Sequence, residues 1–305
     1  MSAHHHSHDH AAEPPASVGA AFGIAITLNL GFVVAEALAG LIGGSLALLA
    51  DAGHNLSDVL ALVLAWGASH LSARPPSARF TYGLKGSSIL AALANAALLW
   101  VALGAILIET LRRLAHPALP DARLMIAVAA AGIFVNGASA VLFARGRKRD
   151  LNLRAAFQHL VGDAAVSAGV VAAGVAVTLT GRAWIDPVTS LVITAIIGAG
   201  SWALLRDSVT MALAGVPAGI DEGGVRALIA AQPGVAAVHD LHIWAMSTTE
   251  TALTAHLVMP TGHPSDAFLH DLAHELAHDF AIGHATFQVE TDHGHDCALH
   301  PEEVV

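Results

Sequence analysis

Six apolar runs leave this chain little choice of architecture. They lie near residues 18–41, 46–68, 88–111, 124–143, 155–179 and 185–205, and each, wound as a helix, spans about 30 Å of hydrocarbon. Hydrocarbon offers no water to an unpaired backbone N–H or C=O, so a crossing segment must satisfy its own backbone, and a helix does that within one segment. Turn-forming residues separate the runs: Gly43-Gly44-Ser45, Arg74-Pro75-Pro76-Ser77, His116-Pro117 with Leu119-Pro120, the basic cluster from Arg145 to Arg149, and Gly181-Arg182. Composition agrees. Only 12% of residues are charged and the mean hydropathy is +0.61, where a soluble domain carries about 25% charged residues.

An even number of spans puts both termini on one side, and the Lys and Arg bias of the loops selects that side. The terminal side holds Arg74, Arg79, Lys85, Arg145, Arg147, Lys148, Arg149, Arg154 and Arg206, and the opposite side holds Arg112, Arg113, Arg123 and Arg182. Nine against four predicts cytoplasmic termini, and a bacterial inner membrane is the expected location. The formal charge of -10 argues against a nucleic-acid partner. A single cysteine, Cys297, excludes an internal disulfide framework. The opening MSAHHHSHDH lacks the basic and apolar regions of a cleaved signal peptide, and its Ser and Asp interruptions predict a native His-rich tail rather than an affinity tag.

From about residue 214 the pattern becomes that of a small soluble module. Residues 221–231 read as a helix stopped by Gln232-Pro233-Gly234, 235–246 and 250–259 as strands joined by a turn, 265–280 as an amphipathic helix capped by Ser265, and 284–290 as a third strand. The predicted fold is an α-helical membrane protein of six transmembrane helices followed by a small cytoplasmic α+β domain of order α-β-β-α-β. The expected division is a His-rich cytoplasmic tail over 1–16, the membrane domain over 17–208, the cytoplasmic domain over 209–292, and a tail containing His and Cys over 293–305.

Charge inside the apolar runs carries the functional signal. His54 with Asp58, and His159 with Asp163, repeat one spacing, H-x-x-x-D, in the second and fifth runs. Residues four apart share one helix face, so each pair aims an imidazole and a carboxylate in one direction. An Asp at the bilayer centre costs about 2.5 to 3.5 kcal/mol, and such residues mark ion paths. The second and fifth spans run in opposite directions, so packed side by side they set His54 level with Asp163 and Asp58 level with His159. Two nitrogens and two oxygens suit zinc. Ser, Thr or Asn would serve as interhelical glue without a charge. Asp51, one turn before His54, is expected in a supporting or pathway role. Asn29, Glu36, Asn95 and Asn136 are expected as packing or pathway groups.

These residues also carry a resemblance. L-A-D-A-G-H-N-L-S-D over 49–58, R-F-T-Y-G over 79–83, L-N-L-R-A-A-F-Q-H-L-V-G-D over 151–163 and V-H-D-L-H-I-W over 238–244 resemble the cation diffusion facilitators in their zinc-transporting branch, from the first span to Glu290. The resemblance implies six spans, a metallochaperone-like cytoplasmic domain, a homodimer in the lipid bilayer, and export of zinc from the cytoplasm in exchange for protons. It assigns the transported ion to His54, Asp58, His159 and Asp163. Manganese-selective relatives tend to carry Asp in place of His54, which favours zinc. His239, His256 and Glu290 correspond to positions where relatives bind regulatory zinc, whereas His284 and Glu290 are too far apart along a regular strand to share one ion.

Two other signals need weighing. His274-Glu275-Leu276-Ala277-His278 spells the H-E-x-x-H of zinc proteases. With His270 it forms a polar stripe opposite Phe268, Leu272 and Leu276, which a solvated helix face explains without catalysis, and so small a module has little room for a substrate cleft. The expectation is a transporter and not an enzyme, with a membrane-anchored zinc protease and a zinc sensor that does not transport as the alternatives. The clusters at His4, His5, His6, His8 and His10, and at His293, His295, Cys297 and His300, are expected to gather metal loosely.

Overall fold

The computed structural model describes residues 16–144 and 151–291. Six long helices come first: α1 (Ala16–Gly43), α2 (Leu46–Ser72), α3 (Ser87–Ala115), α4 (Ala122–Ala144), α5 (Leu151–Thr180) and α6 (Ile185–Ala212). Over the described residues, α2 to α6 are each long and apolar enough to cross a membrane, and in α1 the apolar part counted is Leu30–Gly43. The helices start and stop at the Gly, Pro and basic punctuation that the sequence supplies.

Two glycines are required by the backbone at these turns. Gly44 has φ 64° and Gly83 has φ 71°, a region that costs an L residue steric strain. At Gly83 a Cβ would also meet the Arg74 carbonyl oxygen at 2.9 Å, so the α2–α3 connection closes only on glycine.

The chain divides into two compact units, one of residues up to Val59 with Ala102–Ala195, the other of Leu60–Val101 with Ile196 onward. In the first, α4 packs along α5 and also meets α1. A Cβ at Gly132 would stand 2.9 Å from both the Phe32 ring and Ser167 Oγ, so the missing side chain is what lets these helices approach, as small residues do in membranes. The α1–α2 turn is tied down by long-range bonds. The Arg113 guanidinium donates to the Gly44 carbonyl at 3.0 Å and the Asp121 N–H to the Gly43 carbonyl at 2.8 Å. Asp186, in the first turn of α6, accepts from Ser45 Oγ at 2.6 Å, Leu46 N–H at 2.8 Å and Ala47 N–H at 3.3 Å. Its carboxylate thereby serves the unpaired N–H groups and positive end of α2.

The second unit contains the soluble module: α7 (Glu222–Ala230), β1 (Ala237–Ala245), β2 (Thr251–Val258), α8 (Asp266–Phe280) and β3 (His284–Glu290). This is the predicted α-β-β-α-β order. The sheet runs β1-β2-β3, antiparallel between β1 and β2 and parallel between β2 and β3. Val225 and Ile229 of α7 and Leu272 and Leu276 of α8 bury against Ile243, Leu253, Ala255 and Leu257 on one sheet face. Ser265 caps α8 as expected, accepting from Phe268 N–H at 3.2 Å. The opposite sheet face carries His256 and Glu290, which the alternation of strand side chains dictates, and His239, which stands opposite His256 because a bulge shifts the alternation of β1.

Candidate metal centre

Four side chains from two helices converge in the first unit. His54 Nε2 lies 3.5 Å from Asp163 Oδ1 and 3.8 Å from Asp58 Oδ2. His159 Nε2 lies 3.2 Å from Asp58 Oδ2 and 3.6 Å from Asp163 Oδ2. The levels are those predicted, His54 with Asp163 and Asp58 with His159, and α2 and α5 meet through these side chains. Zinc bonds of about 2.0 to 2.2 Å place tetrahedral ligands about 3.3 to 3.6 Å apart, and these four donor contacts, at 3.2 to 3.8 Å, bracket that spacing. One atom from each residue lies within 4.8 Å of all the others, and Asp58 Oδ2 is buried with no hydrogen bond to satisfy it.

The two layers differ in access. The His54 and Asp163 side chains are 21% and 7% exposed, those of His159 and Asp58 46% and 36%. The cage therefore opens toward the C-terminal part of α2 and the N-terminal part of α5.

Around this quartet the structure groups polar residues that the sequence left as packing or pathway groups. Asp51 does not join the cage; its Oδ2 accepts from Ser167 Oγ at 3.0 Å. Glu36 accepts from the Asn55 amide at 3.1 Å. Both carboxyls are wholly buried.

The soluble module brings His239, His256 and Glu290 together, with donor atoms within 4.8 Å of one another. The register explains how residues so distant in sequence meet. His239 stands directly opposite His256 across the antiparallel pair, ring centroids 4.9 Å apart, while the parallel pair sets Glu290 beside Val258, diagonal to His256. Glu290 Oε1 lies 2.9 Å from His256 Nδ1 and Oε2 lies 3.1 Å from His239 Nε2. His284 is at the far end of β3, opposite Ala252, with its ring against Tyr82.

Sequence reasoning missed Asp240. The residue has φ 50° and sits in a bulge between the pairs His239–His256 and His242–Thr254. The extra residue turns its carboxylate to the polar face, where Oδ1 lies 2.9 Å from His242 Nε2 and Oδ2 3.3 Å from His256 Nε2. The available signal was His239 and His242 three apart in a strand, which breaks strict alternation.

Other candidates stay apart from these groups. His274, Glu275 and His278 lie on the exposed face of α8, and Glu275 accepts from the Gln232 amide at 2.9 Å. His70 bonds its own helix at the Trp66 carbonyl, 3.0 Å away. Both His-rich tails lie outside the described residues.

A helical membrane domain presenting an N2O2 cage open on one side, followed by a small α+β module, defines a membrane carrier for metal cations. Over residues 23–211 the chain matches the cation efflux transmembrane domain, and over 217–292 the cation efflux protein cytoplasmic domain. The chain belongs to the cation efflux family, the cation diffusion facilitators, whose members are transporters rather than enzymes. It is 36% identical over 301 residues to the zinc transporter ZitB of Escherichia coli, covering 97% of this chain and 96% of that protein. It is 36% identical over 286 residues to the metal cation efflux system protein CzcD of Cupriavidus metallidurans, covering 93% and 89%. The cadmium, cobalt and zinc/H(+)-K(+) antiporter of Bacillus subtilis is 32% identical over 282 residues, 90% of each chain.

Proposed function

We propose that this chain is a zinc efflux transporter that exchanges cytoplasmic zinc for protons, with His54, Asp58, His159 and Asp163 holding the transported ion. The observation that carries the reading is the convergence of two imidazoles and two carboxylates from two membrane helices, with one donor atom from each within 4.8 Å of the others. Zinc binds neutral imidazole and ionised carboxylate, so zinc and protons compete for one set of atoms. That competition is what an antiporter needs. The names of the relatives, a zinc transporter and a zinc/H(+)-K(+) antiporter, support the substrate and the counter-ion.

The protein acts as a homodimer in a bacterial inner membrane with cytoplasmic termini, its tails over 1–16 and 293–305 flanking a membrane domain of 17–208 and a cytoplasmic domain of 209–292. The match to a cytoplasmic dimerisation-type domain and the basic loops support this arrangement. The exposed layer of His159 and Asp58 is then the loading side. His239, His256 and Glu290 form a second, regulatory zinc site, favoured by a donor set of two imidazoles and a carboxylate.

Zinc flux and internal pH recorded together in vesicles carrying the purified protein test the reading. Wild type moves zinc and protons in opposite directions, and Asp163→Ala moves no zinc while remaining folded. Zinc flux in Asp163→Ala equal to wild type would remove the quartet, and no wild-type flux would leave a sensor.

A further inference from the structure

One pair of buried groups is unused by the quartet. Glu36 of α1 and Asp51 of α2 are both 0% exposed, and Glu36 accepts from the amide of Asn55, one turn beyond Asp51 on the same face of α2. Each carboxyl has one oxygen with a donor: Oε2 of Glu36 takes the Asn55 amide at 3.1 Å, and Oδ2 of Asp51 takes the Ser167 hydroxyl at 3.0 Å. The other oxygen of each, Glu36 Oε1 and Asp51 Oδ1, is buried with no donor. Glu36 is the only charged residue of α1, and the only charged residue of α4 is Arg123 in its first turn. The other titratable groups facing the pair are Asp163 of α5 and His54 of α2. Two buried acids beside a third, with His54 the one group facing them among the described residues that can carry positive charge, are costly when all are ionised. A single proton shared between the two carboxyls satisfies both orphaned oxygens, as in acid dyads elsewhere.

We propose that Glu36 and Asp51 form a proton-carrying site separate from the zinc ligands, which gives up its shared proton when zinc enters the quartet and regains one when zinc leaves. The coupling is short. Asp51 is one turn before His54 on α2, and its partner Ser167 is one turn beyond Asp163 on α5, so the pair and the cage share both helices. An entering ion brings two positive charges close to the pair, and a bound cation reverses the charge balance of nearby acids. The O–H bond of the shared proton breaks, the proton passes to water, and both electrons of that bond stay on the carboxylate, so each zinc entering displaces one positive charge from the pair. Whereas the proposed function has protons compete for the ligand atoms themselves, here part of the counter-ion travels on atoms that never touch zinc.

The inference rests on the zinc/proton reading, and the test separates the two. Protons released per zinc bound are measured by calorimetry on the full-length purified protein, titrated with zinc in buffers of different ionisation enthalpy near neutral pH. Contributions from other zinc-binding groups are common to wild type and variant and cancel in the difference. Glu36→Gln is expected to bind zinc within about twofold of wild type and to release about one proton fewer, the single proton of the dyad. Asp51→Asn is expected to do the same, and serves if Glu36→Gln fails to fold. Wild-type proton release in a folded variant overturns the pair while leaving antiport intact. A large loss of zinc affinity also overturns it, because the residues then position the cage instead of carrying protons. No proton release by wild type overturns both ideas.

Discussion

Removing the Asp186 carboxylate should destabilise the membrane domain by about 2 to 4 kcal/mol. In Asp186→Ala the N–H groups of Leu46 and Ala47 and the hydroxyl of Ser45 lose their acceptor. Leu46 and Ala47 are 2% and 0% exposed, so water reaches them poorly. A buried donor left unpaired costs about 1 to 3 kcal/mol, and losing a helix cap costs about 0.5 to 2 kcal/mol. These terms overlap, since Ser45 Oγ still accepts from Leu48 N–H at 3.2 Å and retains part of the cap. Asp186→Asn keeps one acceptor oxygen and loses the charge facing the helix dipole, so it should fall near the middle of the range. Equilibrium unfolding of the purified protein in mixed detergent micelles measures the difference. A shift below about 0.5 kcal/mol, ordinary for a surface substitution, would show that the α1–α2 turn does not depend on this anchor. Zinc affinity of the folded fraction should change far less, because Asp186 contacts no quartet residue.

Three further outcomes are expected. His54→Asp should weaken zinc transport and admit manganese, because it replaces a borderline-soft nitrogen with a hard oxygen; competition flux with both metals reads the ratio, and an unchanged ratio would mean that His54 does not touch the ion. Acidifying the zinc-loading side should slow transport: protonated imidazoles cannot bind zinc, so activity is present at higher pH and lost as pH falls. Zinc flux against loading pH measures this, and a flat profile from pH 8 to 5 would contradict it. Glu275→Gln should leave zinc flux within about twofold of wild type, since its partner is Gln232 on an exposed helix face; a zinc-dependent peptidase activity that disappears in this variant would reverse that assignment.

Much of the architecture and of the candidate site was legible along the chain because the relevant physics is local. A run of apolar residues in hydrocarbon has to be a helix whatever its neighbours are, and an i, i+4 spacing puts His54 above Asp58, and His159 above Asp163, on any α-helix. The opposite directions of the second and fifth spans followed from counting, so the levels of the four ligands could be stated in advance. Alternation likewise assigned His256 and Glu290 to side-chain faces before any strand was paired.

What tertiary structure alone decided are the contacts whose partners are far apart in sequence. Whether α2 and α5 meet at all depends on how every helix packs, and no spacing within one helix encodes that. Glu290 reaches His256 across 34 positions through the parallel register of β2 and β3, and Asp186 reaches Ser45 across 141. The Asp240 bulge and the bonds of Glu36 to Asn55 and of Ser167 to Asp51 are of the same kind. Periodicity shows which way a side chain faces relative to its own helix or strand, but its partner is selected by packing free energy summed over the whole core.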